Sequence, residues 1–466
     1  PDDKLLTNEG WSRVDVYDCD TKSVTVVTTN GWRADHPSPY GWVEGVTWAA
    51  DGEALAFSVS FDGYPTELYV AEWAGNKVTR RKLNRPDGVQ VADGADLQWR
   101  GGTRELCFVG EWRARKRVYG LPDVQQGQQG RARELTPGDV VVDSFGFSRS
   151  GDDLAAVLST TAHPPDVYHA AIEGSVGELE RLTRVNPQVD TWKLPSIEIV
   201  TWTAPDGTAC EGILELPPGY QRDQPLPMIV EVHGGPTAAT YYRLRYWIYG
   251  RTLMPAKGYA LFSPNYRGST GYGDKFTADL VGHENDVEVK DILAGVEALV
   301  EAGVADPERL GVMGWSNGGF LTNCLISQTD RFKAASSGAG ILDMVIQWGS
   351  EDTPGHVVNF MQGLPWQEPD AYGQASPVYR LGNVRTPTII HVGGADTRCP
   401  PAHSRGLYRA LKRYLDVPVE LVVYPGEGHG LLKYEHRKAK MEWDIAWFDK
   451  YLLGKTDDAA DEETEK

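Results

Sequence analysis

From Pro1 to about Ile172 short apolar runs alternate with polar, glycine-bearing turns, and no helical spacing is sustained. Val46-Thr47-Trp48 leads through a turn at Asp51-Gly52 into Ala54-Leu55-Ala56-Phe57. Leu97-Gln98-Trp99 leads through Gly101-Gly102 into Glu105-Leu106-Cys107-Phe108. Phe145-Gly146-Phe147 leads through Gly151 into Leu154-Ala155-Ala156-Val157. Each unit then adds a further strand, such as Glu67-Leu68-Tyr69-Val70 or Asp166-Val167-Tyr168-His169. The aromatics Trp48, Trp99 and Phe147 recur at about 50 residues, which is the period of propeller blades. An incomplete copy precedes them at Val14–Cys19 and Ser23–Val27. Residues 1–190 are therefore expected to form three blades and part of another, and a closed ring would need strands outside this sequence. A β-sandwich without a repeat is the competing expectation.

From Ser196 the pattern changes. A hairpin, Ser196–Trp202 with Cys210–Leu216, is followed by short apolar strands alternating with helix-length segments. The strands are Met228–Val232, Tyr259–Ser263, Leu310–Met313, Thr388–Val392 and Glu420–Tyr424. Such alternation predicts a largely parallel, doubly wound sheet covered by helices over 191–454, an α/β hydrolase type of domain behind an all-β propeller portion. Val289, Ile292, Val296 and Leu299 predict a helix from Val287 to Ala302 with an apolar core face, and Met441, Ile445, Phe448 and Leu452 predict another from about His436. Trp443 and Trp447 in the latter read as packing residues. Residues 455–466 are an acidic tail with too little apolar surface to order itself.

Composition narrows the function classes. With 466 residues, 41% hydrophobic and 24% charged, the chain is a globular protein of two or three domains. No apolar run approaches a membrane span. Sixty-five acidic against 46 basic residues give a net charge of −19, which argues against nucleic acid as a partner. Five scattered cysteines form neither a disulfide framework nor a metal-ligand set, and no metal or other cofactor is expected. The chain opens at Pro1 without a signal-like segment, so its natural start is expected upstream and its compartment is left open, with a cytoplasmic one favoured.

The chemistry is written around Gly314-Trp315-Ser316-Asn317-Gly318-Gly319. An apolar strand runs into it and a helix-like run, Phe320–Ile326, leads out. A strand, a sharp turn and a helix would hold the Ser316 hydroxyl exposed at the strand's end beside helix N-terminal amides. A serine needs a base and a group to orient the base. Two strand-end loops supply them in hydrolase order: Asp396 in Gly393-Gly394-Ala395-Asp396 and His429 in Gly426-Glu427-Gly428-His429-Gly430. Asp343, Asp352 and His436 are the nearest substitutes. The oxyanion donors are expected to be the amides of Asn317 and of Gly235, in the loop His233-Gly234-Gly235-Pro236, while His233 either donates from its ring or packs beneath the loop.

His233–Pro236, Asn265-Tyr266-Arg267-Gly268-Ser269-Thr270-Gly271-Tyr272-Gly273, Gly314–Gly319, Asp396-Thr397-Arg398 and Gly428–Gly430, in that order, resemble the prolyl oligopeptidase family of serine peptidases. Within it the chain is most similar to the acylaminoacyl-peptidase and dipeptidyl-peptidase branch, over about Ser196–Leu453. The resemblance implies a propeller capping the site so that only short or unstructured peptides enter. It also implies that Arg398 binds the carbonyl of the P2 residue, and that an apolar S1 pocket is built from Ile341, Met344 and Ile346 with Cys399 at its rim. Where some members carry an oxyanion-hole tyrosine this chain has His233, which shifts that duty to the Gly235 amide. The glutamate pair that holds a free substrate N-terminus in dipeptidyl peptidases is not identifiable. The expected activity is release of short N-terminal units, acylated or free, through an acyl-enzyme, by a protein that can assemble as a homo-oligomer. A carboxylesterase with the same triad and a binding protein with an inert hydrolase half are the alternatives.

Overall fold

The computed structural model describes residues 12–455 apart from 39–40, 75–76, 95, 126, 174, 245–250 and 252. The expected acidic tail lies outside the described residues from 456 onward.

The N-terminal part consists of three four-stranded antiparallel meanders preceded by a hairpin of Asp15–Tyr17 with Val24–Val26. The first meander runs through Trp42–Trp48, Ala54–Phe61, Tyr64–Ala74 and Lys77–Lys82. The second runs through Leu97–Trp99, Leu106–Trp112, Arg115–Leu121 and Arg133–Glu134, and the third through Val141–Phe147, Asp153–Ser159, Asp166–Glu173 and Glu180–Arg181. Trp48, Trp99 and Phe147 each close the first strand of their meander, so the repeat seen in sequence is a repeat of structure.

Neighbouring copies touch through equivalent corners. Trp99 Nε1 donates to Thr47 O (3.3 Å), and Arg100 Nε donates to Gly151 O (2.8 Å). The second and third meanders are joined by a parallel contact, Lys116 opposite Val141, into one ten-stranded sheet. Among the described residues these strands form no closed ring.

The C-terminal part is built on an eight-stranded sheet: β1 (Ser196–Thr203), β2 (Ala209–Leu216), β3 (Leu226–Val232), β4 (Ala260–Asn265), β5 (Ala305–Trp315), β6 (Ala334–Gly338), β7 (Thr388–Gly393) and β8 (Val419–Tyr424), in spatial order β1-β2-β4-β3-β5-β6-β7-β8. β1, β2 and β4 pair antiparallel, and every pair from β4–β3 onward is parallel. Consecutive strand ends therefore point the same way, which gathers the loops after β3, β5, β7 and β8 at one edge.

β6 is a strand that the hydrophobic pattern does not announce, because Ala334-Ala335-Ser336-Ser337-Gly338 contains no large apolar residue. Its smallness is dictated by packing. A Cβ on Gly338 would fall 2.2 Å from the Trp315 ring, and one on Gly319 would fall 2.1 Å from Gly338 O.

Helix α1 (Val287–Glu301) buries Val289, Ile292, Val296 and Leu299 as its spacing predicts, and Gly295 lets the Phe262 and Trp202 rings close onto it. α2 (Asn317–Gln328) is buried along all but its last residue. The final helix, here α5 (Tyr434–Leu453), buries Trp447 and Phe448 while Trp443 is exposed. Between them α3 (Met344–Ser350) and α4 (Gly355–Met361) follow β6. Among the described residues no helix is long and apolar enough to cross a membrane, and no group of three or more His, Cys, Asp or Glu could hold a metal ion.

Candidate active site

β5 ends at Trp315 and α2 begins at Asn317, so the chain reverses in one residue. Ser316 takes φ 62° and ψ −123°, in the left-handed half of the map that a residue with a side chain adopts only when its surroundings impose it. Two glycines make the turn possible. A Cβ on Gly318 would lie 2.0 Å from Val232 O, and one on Gly314 would lie 2.4 Å from the Gly318 backbone. Ser316 N donates to Gly338 O (2.9 Å), which ties the turn to β6.

The loops after β7 and β8 are locked together before either reaches Ser316. A Cβ on Gly393 would fall 2.0 Å from Gly428 O, and Ala395 N donates to Glu427 O (2.8 Å). Buried Glu427 organises the second loop by accepting from Leu432 N and Lys433 N (both 3.0 Å) and pairing with His436 Nδ1 (2.6 Å). Burial alone would raise its carboxyl, but these donors hold it down at about 2. His436 therefore braces the loop from α5 and does not face Ser316.

On this frame His429 Nε2 lies 2.9 Å from Ser316 Oγ, and His429 Nδ1 lies 2.9 Å from Asp396 Oδ2. The other oxygen of buried Asp396 accepts from the amides of Arg398 (2.9 Å) and Cys399 (2.8 Å). Trp315 Nε1 holds His429 from its carbonyl side at 2.8 Å. Of the other candidate acids, Asp343 caps α3 by accepting from Val345 N and Ile346 N, and Asp352 pairs with Arg398.

Behind the serine, the His233 ring stacks on Tyr266 with centroids 4.4 Å apart. Its Nε2 meets Ser269 Oγ (2.8 Å) and its Nδ1 meets Gly234 O (2.7 Å). The ring thus packs beneath the loop, which is the second of the two roles expected for it. The Tyr266 hydroxyl donates to His233 O (2.8 Å) and accepts from Asn317 Nδ2 (3.2 Å), joining the β3 loop to the residue after the serine.

These groups open onto a cavity of about 250 Å³ whose wall includes Ser316, Asn317, Gly235, His429, Arg398 and Cys399. Ile341 and Met344 belong to the wall. Ile346 does not: it is 47% exposed. Two residues along α3 from Met344 is about 200° around the helix, so both cannot face the same side. The wall also carries polar and acidic side chains. Asp62, Glu284, Gln347 and His356 share the wall with Met344, Val357 and Phe360.

Asp62 arrives from the turn between Ala54–Phe61 and Tyr64–Ala74 of the first meander, so both halves of the chain build the cavity. Gly63 N donates to Thr237 Oγ1 (3.1 Å) beside it. Burial raises the Asp62 carboxyl, against the charges of His356 and Arg398, and burial pushes nearby Glu351 up to about 9. Sequence reasoning had no signal for Asp62 or Glu284, since an acid in a hairpin turn or ahead of a helix is what turn and capping chemistry ordinarily place there.

Residues 248–455 match the model of the prolyl oligopeptidase family. The chain is 29% identical over 323 residues to a Bacillus subtilis protein described as an uncharacterized peptidase, YuxL, covering 67% of this chain and 47% of that one. It is 31% identical over 375 residues to the human acylamino-acid-releasing enzyme, covering 76% of this chain and 50% of the enzyme. The chain thus spans about half the length of these curated relatives. Its fold resembles that of Porphyromonas gingivalis dipeptidyl peptidase 4, with a TM-score of 0.73 at 14% identity over 94% of this chain and 67% of that one.

Proposed function

We propose that this chain, which belongs to the prolyl oligopeptidase family through residues 248–455, is a serine peptidase that releases short units from peptide N-termini through an acyl-enzyme. The reading rests on the two 2.9 Å contacts that link Ser316 to His429 and His429 to Asp396.

In this reaction Ser316 Oγ attacks the scissile carbonyl carbon while His429 Nε2 takes the hydroxyl proton. The carbonyl oxygen gains the electron pair and is received by the amides of Asn317 and Gly235. Asp396 is ready for its part because its second oxygen already has two amide donors, so the first is free to orient the imidazole and stabilise the imidazolium. The tetrahedral adduct collapses as the C–N bond breaks, and His429 returns its proton to the departing amine. A water then attacks the ester by the same proton route and frees Ser316. Arg398, in the cavity wall with donors beyond its Nε, is assigned the substrate carbonyl next along the chain. The β meanders are read as propeller blades that restrict access, with Asp62 reaching the cavity from their side.

A fluorophosphonate probe is expected to label wild-type protein, with labelling abolished in Ser316→Ala and slowed by about 10³-fold or more in Asp396→Asn. Labelling that survives Ser316→Ala would sink the assignment, and a folded wild type that takes no label would favour the inert binding protein. Turnover of nitrophenyl esters without cleavage of any peptide anilide would replace peptidase by carboxylesterase.

A further inference from the structure

Glu284 is the one cavity-wall acid that belongs to the loop ahead of α1. That loop is pinned on both sides of it. Gly282 N donates to Phe360 O (2.8 Å). Buried Asn285 donates to the carbonyls of Gln374 (3.1 Å) and Ala375 (3.2 Å) and accepts from Gln328 Nε2 (2.6 Å). Glu288 lies next to it, buried in the first turn of α1 and accepting from Asn285 N (2.6 Å). Burial, and then the charge of Glu288, push Glu284 up to about 8, and burial pushes Glu288 up to about 8 as well. Among the described residues neither acid has an ion-pair partner. Glu288 is buried and Glu284 partly so, and a cation brought to Glu284 by a ligand would favour its ionised form over the protonated one that burial favours.

The cavity supplies the route for such a ligand. Asn317, the residue after the serine, is in its wall, and Asn317 Nδ2 donates to Tyr266. The Tyr266 hydroxyl is pushed up by burial, against the hydrogen bond from Asn317 and with the charges of Glu288, Glu231 and Glu284 adding to the rise, and Glu284 shares the cavity wall with Ser316 and Asn317. Met344, Val357 and Phe360 are nearly fully buried around the same space and offer it apolar sides. Arg398, in the same wall, is already ion-paired with Asp352 at 2.6 Å.

We propose that this cavity receives the P1 side chain and that Glu284 makes it select lysine or arginine, the apolar walls taking the methylenes and the carboxylate taking the cation. The inference rests on Ser316 being the nucleophile. It departs from the apolar S1 pocket that the family resemblance implies.

The test compares N-acyl substrates with lysine, arginine or norleucine at P1, each as the nitroanilide and as the nitrophenyl ester, on wild type, Glu284→Gln and Glu284→Leu. In wild type kcat/KM is expected to be higher for lysine than for norleucine. The lysine-to-norleucine ratio is expected to fall about tenfold or more in Glu284→Gln, and to fall below one in Glu284→Leu. A wild-type ratio of one or below, or a smaller fall on substitution, overturns the proposal, and the wild-type ratio decides alone if neither variant folds. If only the esters turn over, the peptidase reading fails while the ester ratios still decide the role of Glu284.

Discussion

The Arg398 guanidinium is tied through Nε to Asp352 Oδ1 at 2.6 Å, and Asp352 in turn accepts from Thr397 Oγ1 (3.2 Å). The arginine that stands two residues after Asp396 is therefore aimed by an acid from the segment between α3 and α4. A single ion pair of this kind, half open to solvent, contributes little to stability but restricts where the fork points.

Arg398→Ala is expected to raise KM for peptide substrates about tenfold or more with a smaller effect on kcat. Asp352→Ala is expected to shift KM in the same direction but by less, because the guanidinium is retained and only its aim is lost. Steady-state kinetics on one peptide anilide checks both. Equal losses in kcat and kcat/KM for Asp352→Ala would argue for a contact made only in the transition state, contrary to a positioning role.

Burial raises Glu351 to about 9, so the folded protein keeps this proton over a range where the unfolded chain releases it. Below about 4.5 both states are protonated and the group contributes nothing to pH dependence. Between there and about 9 the unfolded state binds fewer protons, so stability falls as pH rises, and above about 9 the effect levels off. Urea denaturation of Glu351→Gln at pH 6 and pH 9 is expected to show a smaller loss than wild type, by about 1 kcal/mol or more. Identical losses in the two proteins would refute this account of Glu351.

Gly318→Ala is expected to destabilise the protein by about 1–3 kcal/mol and to lower fluorophosphonate reactivity, since its Cβ would press on Val232 O at 2.0 Å and push α2 off β3. Gly349→Ala, in α3 with nothing within 4 Å of its Cβ, is expected to be neutral or stabilising by up to about 1 kcal/mol. Denaturant midpoints for the pair separate a close-contact glycine from a merely flexible one. Equal effects would mean that the contact at Gly318 relaxes without cost.

Local pattern was enough for the meanders, the parallel strands and helices α1 and α5, because each of these buries one face and writes that face into its residue spacing. It also pointed to Ser316, Asp396 and His429, which the fold brings within hydrogen-bond reach, since a strand-end loop rich in glycine marks a place where backbone must approach backbone. It failed at β6, whose small residues answer to Trp315 and Gly319 across the sheet, and at Ile346, whose helix phase follows from the Asp343 cap.

The sequence by itself determined the order of elements and singled out the three side chains that meet at the Ser316 turn, because periodicity and turn chemistry are local properties. Only the tertiary structure decided how the cavity is charged. Asp62 comes from a β hairpin far upstream, Glu284 from the loop before α1 and His356 from α4, and they meet because packing brings distant segments together. The raised carboxyls of Glu284 and Glu351 arise from burial, which no spacing along the chain encodes.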